Sequence, residues 1–344
     1  MEVRSESRRS WSVVAPFFKA DGSNRWIDDL VTDGSWIFRK VPLTSARDDW
    51  HSRSSRATGV TKWLQYWDQS RRAFPASGVI TLFPQAALMI GVQKSLRRLD
   101  IPVVAWCFNL GDYPDGLKRA AARAALKSVD RFVVHSTGEV RRVSEFLGIP
   151  ARKVEFVPLQ RAPIPIEADE DVASPFVVAM GSANRDYRTF FKAAEISGLP
   201  CKVVSSPRSV DGLRIPANVS VENGLTASEC HRVVQRSRFS VVPLLDPGIA
   251  SGQVTVIESM RMNRPVVATR SIGTSDYIQD GQSGTLVVPH DPEGLATAML
   301  QLWDDAALRQ RYARKAAEFA ETTLSDGAAA RALARIMSQL ELER

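Results

Sequence analysis

The chain has 344 residues, 44% of them hydrophobic and 24% charged, with a formal net charge of +7. That is enough length for about two ordinary domains with separate cores, and the composition is that of a soluble globular chain rather than a disordered or fibrous one. No apolar run approaches the ~20 residues of a bilayer span, and the Met1–Trp11 stretch has no apolar signal core behind its charges.

The charge is uneven. Residues 1–160 carry 25 Lys and Arg against 16 Asp and Glu, while the remainder carries 20 against 22; seven of the eight Trp lie within the first 106 positions. A basic, Trp-rich half predicts an anionic or interfacial partner for that half. Cys107, Cys201 and Cys230 show neither close pairing nor metal-ligand spacing, which fits a reduced cytosol.

In chain order, Trp11–Phe18 reads as a short β-type run, with Asp21-Gly22-Ser23-Asn24 as a turn and Arg25–Val31 as a helical stretch. Ser35–Val41 and Gly78–Phe83 read as strands. Between them, Lys62–Phe74 is a basic, aromatic helix with Trp63, Tyr66, Trp67 and Phe74 near one face. It either packs those rings on a sheet or lies on an anionic membrane surface. Pro102–Phe108 and Arg131–His135 are further strands, alternating with helices Leu117–Lys127 and Gly138–Leu147. This alternation predicts a mostly parallel sheet covered by helices.

Pro158–Pro175 breaks the pattern with four Pro and the acidic run 167–171, and reads as a linker. A second alternating series follows, with strands predicted at 176–180, 201–205, 218–221, 238–243, 265–269 and 285–288. Pro292–Trp303, Ala306–Thr322 and Asp326–Leu342 read as helices. The fold class is therefore α/β, with two Rossmann-like α/β/α domains facing a central cleft. The expected bounds are 1–160, a linker at 161–175, a second domain at 176–324 and a terminal helix at 325–344. No recognised nucleic-acid-binding motif occurs, so a nucleic-acid partner is not expected.

The most informative stretch is 246–290. A polar, Gly-containing loop opens a helix that carries Glu258. A strand, Arg264-Pro265-Val266-Val267-Ala268-Thr269, follows, then the turn Asp280-Gly281-Gln282-Ser283-Gly284. A helix N-terminus favours phosphate, and a carboxylate further along the helix can accept from a ribose diol. This stretch resembles the nucleotide-sugar-binding segment of retaining GT-B glycosyltransferases of the family-4 type, glycosyl transferases group 1. Their pattern is Glu, seven residues, Glu, then a Pro-Val-Val strand and a D-G-x-x-G turn. His290-Asp291-Pro292-Glu293-Gly294-Leu295 matches the helix start beyond it. The chain departs at the first Glu, which is Ala250.

The resemblance implies the following roles. Gly181, Ser182 and Arg185 take the place of a Gly-Arg pair and a Lys that meet the donor diphosphate. Ala250, Ser251, Gly252, Gln253 and Val254 form the loop and helix start around it, and Glu258 meets the ribose. Gly22 and Ser23 take the place of a first-domain Gly loop. Asn109, with Asp112 behind it, stands where the family often has a His, so Asn109, Arg185 and Glu258 are the expected catalytic set. His135 reads as a hydrogen-bonded structural residue. A carboxylate lost at Ala250 would relieve repulsion toward an anionic sugar such as a uronic acid; alternatively, Ser251 or Gln253 takes over.

The implied activity is transfer of a hexose or uronic acid from a UDP-sugar, with retention, to diacylglycerol or a lipid-linked glycan at the inner face of the cytoplasmic membrane. No cofactor beyond the donor substrate, and no divalent metal, is expected. The alternatives are a soluble or polysaccharide acceptor, a nucleotide-sugar epimerase, and a non-catalytic sugar-nucleotide-binding protein.

Overall fold

A computed structural model describes residues 8–18, 24–43, 60–111 and 113–344. The chain divides into two compact units, Met1–Val157 with Asp326–Arg344, and Pro158–Ser325.

The first unit is built on six parallel strands: β1 (Arg9–Val14), β2 (Trp36–Val41), β3 (Gly78–Leu82), β4 (Val103–Trp106), β5 (Arg131–Val134) and β6 (Val154–Phe156), ordered β2-β1-β3-β4-β5-β6. Alternation along each strand sends its side chains into two cores. Val103 and Ala105 of β4 face helices α1 (Val60–Arg72), α2 (Pro84–Leu96), α3 (Gly116–Leu126) and α4 (Thr137–Leu147), whereas Val104 and Trp106 join the core on the other face.

The second unit repeats the architecture. Its strands are β7 (Val177–Met180), β8 (Cys201–Val204), β9 (Val219–Glu222), β10 (Phe239–Val242), β11 (Val266–Thr269) and β12 (Thr285–Val287), all parallel and ordered β12-β11-β10-β7-β8-β9. Its helices are α5 (Tyr187–Ser197), α6 (Ala227–Arg236), α7 (Gln253–Arg261), α8 (Pro292–Asp304) and α9 (Ala306–Thr322). α5 and α8 cover one face, and α7 covers the other against Val242, Val266 and Ala268.

The last helix, α10 (Asp326–Leu342), belongs to the first unit. Leu333, Ile336, Met337 and Leu340 recur at helical spacing and are buried against Trp11, Ile80 and Val104. Each such burial is worth about 1.5–3 kcal/mol. Its end is tied down by polar groups. The indole N–H groups of Trp11 and Trp36 both donate to Glu341 Oε1, at 3.3 and 3.0 Å, and Arg9 pairs with Glu341 at 2.8 Å.

Most predicted elements stand within a few residues of their expected ends. Two readings change, and one helix was not foreseen. Arg25–Val31 is only a 3-10 turn, Ile27–Leu30. Asp29 spends its carboxylate on the Trp26 N–H and on Lys40, and Val31 is extended, so the turn does not propagate. The helix α2, apolar on most sides because it is wedged between α1 and α3, carried no amphipathic signal. The 161–175 linker is not bare. Gln235 Oε1 accepts from the Glu167 and Ala168 N–H groups, while Glu170 and Asp171 pair with Arg238 and Arg236. The segment contains one Asp-x-Asp spacing, Asp169-Glu170-Asp171, and its Asp171 is engaged by Arg236.

In α1, Gln69 is buried and donates to the Ala15 and Val41 carbonyls, while Tyr66 and Phe74 pack against the core. Trp63 and Trp67 are half-buried, and Leu64 stands out into solvent. The aromatic face therefore serves mainly to seat the helix on the sheet. Among the described residues, no helix is long and apolar enough to cross a membrane.

Candidate functional site

In the second sheet the first strand, β7, has β8 on one side and β10 on the other. The strand order therefore reverses between β7 and β10, and the carboxyl ends of the strands at such a switch point are where ligands of these sheets bind. The loops leaving β7 and β10 are 181–186 and 243–252, and they contain most of the expected donor-binding residues.

Arg185 is the centre of this arrangement. Its Nε donates to the Met180 carbonyl, Nη1 to the Ala183 carbonyl and Nη2 to Thr255 Oγ1, each at 2.9 Å. Three of its five N–H donors are thus engaged, which fixes the fork and leaves two for a ligand. Burial holds the guanidinium below its ordinary pKa, and among the described residues no carboxylate pairs with it. Gly181 makes room for it. Its φ of +111° is left-handed, and a Cβ there would lie 2.5 Å from Arg185 Nη2. Tyr187 Oη donates to the Gly181 carbonyl at 2.5 Å and steadies the same turn.

Asn184 knits the two loops together. Its Oδ1 accepts from the Asp246 N–H at 2.9 Å; its Nδ2 donates to the Asp246 carbonyl at 3.0 Å and to Ser251 Oγ at 2.8 Å. The residue adopts φ +54°, a conformation Asn tolerates better than most side chains. Ser182, expected at a diphosphate-binding position, accepts instead from the Ser206 N–H at 2.8 Å.

Helix α7 begins at this knot. In the second unit α5, α6, α8 and α9 start on side-chain caps from Asp186, Thr226, Asp291 and Asp305, whereas α7 starts on Gly252 with no side-chain cap. Gly252 has φ +85°, and a Cβ there would press on Val242 and Leu244. The first turn of α7 thus lacks the carboxylate or hydroxyl that quiets the dipole elsewhere, beside a guanidinium that lacks a counter-ion.

Gln253 is buried at the first helical position, and Val254, next to it, is exposed. Ala250 is buried at 6% exposure, so position 250 offers little surface to a ligand. Asp246, in the same loop, is exposed and keeps a carboxylate there. Glu258 lies further along α7, half-buried, and its Oε1 pairs with Arg161. His231 Nε2 stands 3.9 Å from Oε2. The Asp280 turn is structural: one oxygen accepts from the Leu286 N–H at 2.9 Å and the other pairs with Arg270.

Asn109 lies in the first unit, after β4, and its Oδ1 accepts from the Gly111 N–H at 2.8 Å. Nearby, His135 Nδ1 meets the Val157 carbonyl at 2.7 Å and Nε2 meets Cys107 Sγ at 3.1 Å. A carbonyl only accepts, so Nδ1 carries the proton and Nε2 receives the thiol's. Burial pulls the imidazole down to about 4 and pushes the thiol up to about 12. Both are neutral at pH 7, so this pair supplies neither a thiolate nor an imidazolium. Gly22, Ser23 and Asp112 lie outside the described residues.

The structure therefore gathers Gly181, Arg185, Ser251, Gly252, Gln253 and Val254 at one crevice, with Glu258 one to two turns along α7. Sequence reasoning missed Asn184, Thr255, Arg161 and His231. The first sits in a turn where Asn is a signal of positive φ. Arg161 meets Glu258 across 97 positions, which no local pattern reveals. Among the described residues no group of three His, Cys, Asp or Glu side chains is placed to hold a metal ion.

Comparison with known proteins bears on this site. Residues 202–305, which include α7 and Glu258, match the family model described as glycosyl transferases group 1. The lipopolysaccharide core biosynthesis glycosyltransferase LpsE of Rhizobium meliloti is 26% identical over 231 residues, covering 61% of this chain and 63% of that protein. The chain thus spans less than two thirds of the curated relatives it matches. Among solved structures, sucrose-phosphate synthase from Thermosynechococcus elongatus superposes with a TM-score of 0.75 at 14% identity, over 98% of this chain and 100% of that one. Anabaena HepE in complex with UDP gives 0.68 at 12% identity, over 96% and 100%. The fold is that of the GT-B glycosyltransferases, with two six-stranded Rossmann-like sheets.

Proposed function

We propose that the protein is a retaining glycosyltransferase that moves a hexose from a UDP-sugar to a lipid or lipid-linked glycan acceptor. The observation that carries this reading is Arg185, a half-buried cation with no carboxylate partner among the described residues, beside a helix α7 that starts without a side-chain cap. A partly desolvated charge without a counter-ion is costly, and a diphosphate arriving beside it recovers that cost through charge-assisted hydrogen bonds. The group 1 match over the same helix and the UDP bound by the HepE neighbour support the nucleotide-sugar part.

In this reading, the bond between the sugar's anomeric carbon and the diphosphate oxygen breaks, negative charge grows on the leaving diphosphate, and the acceptor's hydroxyl oxygen bonds to that carbon while its proton passes to the departing diphosphate. Arg185 and the first N–H groups of α7 stabilise that charge, held in place by Asn184, Thr255 and Gly181 before the reaction begins. Glu258 accepts from the ribose hydroxyls. Asn109 is assigned to the sugar from the first unit, on the strength of the resemblance. Retention rests on the same ground, as does the absence of a separate cofactor or metal. A uronic acid is the weaker donor, because Asp246 keeps a negative charge in the loop where Ala250 removed one.

The acceptor assignment rests on the basic first 160 residues and on LpsE, whose name places it in lipopolysaccharide core synthesis. It implies a protein peripheral to the cytoplasmic face of a membrane. The inward packing of α1 favours the second reading, a soluble acceptor. Incubation with labelled UDP-glucose, UDP-galactose and UDP-glucuronate plus membrane lipids tests both. Label in the organic phase is expected. Label only in water-soluble product selects the second reading, and UDP-sugar binding with no turnover on either overturns the enzyme.

A further inference from the structure

Glu258 is not a free side chain. Arg161 reaches its Oε1 from the segment that leads into the second unit. That segment is fixed: the Arg161 N–H donates to the Leu324 carbonyl at 3.0 Å, and the Leu159 N–H donates to Tyr277 Oη at 2.9 Å. The guanidinium therefore extends from anchored backbone. On the other side, His231 of α6 stops 3.9 Å from Oε2, beyond hydrogen-bond distance. Cys230, its neighbour, is held in the thiol form mainly by burial and secondarily by the Glu258 charge. Glu258 is thus gripped at one oxygen and approached, without a bond, at the other. Arg161 keeps 42% of its side chain exposed, so this pair opens to solvent rather than closing a core.

An unrestrained Glu loses rotamer freedom when it grips a diol, and that loss subtracts from affinity. A carboxylate already clamped through one oxygen has surrendered most of that freedom on folding. The clamp is also directional: a guanidinium on Oε1 turns the plane of the carboxylate and leaves Oε2, with two lone pairs, toward the gap before His231.

We propose that Arg161 is the positioning residue of the ribose-binding carboxylate, holding Glu258 by Oε1 so that Oε2 meets the nucleotide's ribose hydroxyls. The proposal rests on the assignment of Glu258 to the ribose made above. It makes the selection of ribose over deoxyribose depend on a residue that need not touch the nucleotide.

The test is calorimetric titration of the full chain with UDP and with 2′-deoxy-UDP, for the wild type, Arg161→Ala, Arg161→Gln and Arg161→Lys. The wild type is expected to prefer UDP by about tenfold or more, the worth of one hydrogen bond to a charged acceptor. Arg161→Ala and Arg161→Gln are expected to shrink that ratio below about threefold, and Arg161→Lys to restore part of it. The ratio is the readout, because a general loss of positive charge or of folded protein weakens both nucleotides alike. With an active donor, KM for the UDP-sugar rises and kcat stays near wild type. An undiminished ratio in Arg161→Ala and Arg161→Gln overturns the proposal, as does a wild type that binds both nucleotides equally. A wild type with no UDP affinity overturns the nucleotide-sugar reading itself.

Discussion

The two units are close in architecture and opposite in chemistry where their strands end. Each has six parallel strands with helices on the faces, and in each the first strand lies inside the sheet with later strands on both sides. At the carboxyl ends in the first unit the described residues are apolar or neutral. Phe17 and Phe83 meet edge-on with centroids 6.4 Å apart after β1 and β3, and the uncharged Cys107–His135 pair follows β4 and β5. In the second unit the corresponding ends carry Gly181, Asn184, Arg185, Ser251 and Gly252, with a cation that no carboxylate pairs among the described residues and a helix that starts without a side-chain cap. The same sheet topology recurs in both, and what differs is the loop residues where the strands end.

The largest effect that would break this contrast is the loss of Arg185. Arg185→Met should lower kcat/KM for the UDP-sugar by about 100-fold or more, the scale seen when a charge-stabilising donor is removed. The hydrogen bonds lost to Met180, Ala183 and Thr255 offset the relief of a charge without a counter-ion, so the melting temperature should move little. A variant that keeps full activity would remove the second unit's claim to the donor.

Next comes the terminal anchor, which should affect only the first unit. Deleting residues 341–344 removes the Glu341 acceptor of Trp11 and Trp36 and the pairs of Arg9, Arg131 and Arg344. A loss of about 2–3 kcal/mol in chemical denaturation of the first unit is expected, while UDP titration of the second unit stays unchanged. A loss of UDP affinity would show that the two halves are less separable than their cores suggest.

Asp28 sharpens the comparison through pH. It is buried near Lys40, and burial raises its carboxyl from 3.8 to about 6. The folded state therefore holds the proton more tightly than the unfolded chain does. The stability it contributes is complete below pH 3.8 and is lost as pH rises through about 6. Asp28→Asn should raise stability at pH 7.5 by on the order of 2 kcal/mol, and the gain should vanish by pH 3.5 in paired denaturation curves. A gain of equal size at both pH values would contradict the raised carboxyl.

The smallest effect belongs to Cys107→Ser. A hydroxyl can still donate to His135, and an imidazole pulled down to about 4 by burial is a weak base at pH 7, so transfer rates should change by about twofold or less. A large loss would move chemistry into the first unit.

Legibility in the sequence followed the range of the interaction. All six strands of the second unit were readable because each is a short β-branched run bounded by Gly, Pro or Asn, and the last three helices because their apolar spacing repeats every three to four residues. The crevice residues were readable as a set because they lie in two continuous loops. The bond that Ser182 accepts from the Ser206 N–H was not readable, because the two lie 24 positions apart in different loops. α1 was ambiguous because aromatic rings beside cations look the same on a membrane and on a sheet; Gln69, bonded to Ala15 and Val41, settled its orientation.

By itself the sequence determined the alternation of strand and helix and the two-part division, and it marked the stretch expected to meet an anion and a diol, since each depends on neighbours in the chain. The tertiary structure alone decided that Arg185 is half-buried with no carboxylate partner among the described residues, that α7 starts beside it without a side-chain cap, and that Arg161 holds Glu258. Burial, counter-ion and clamp are properties of what surrounds a group in space, and those surroundings come from segments up to 97 positions apart.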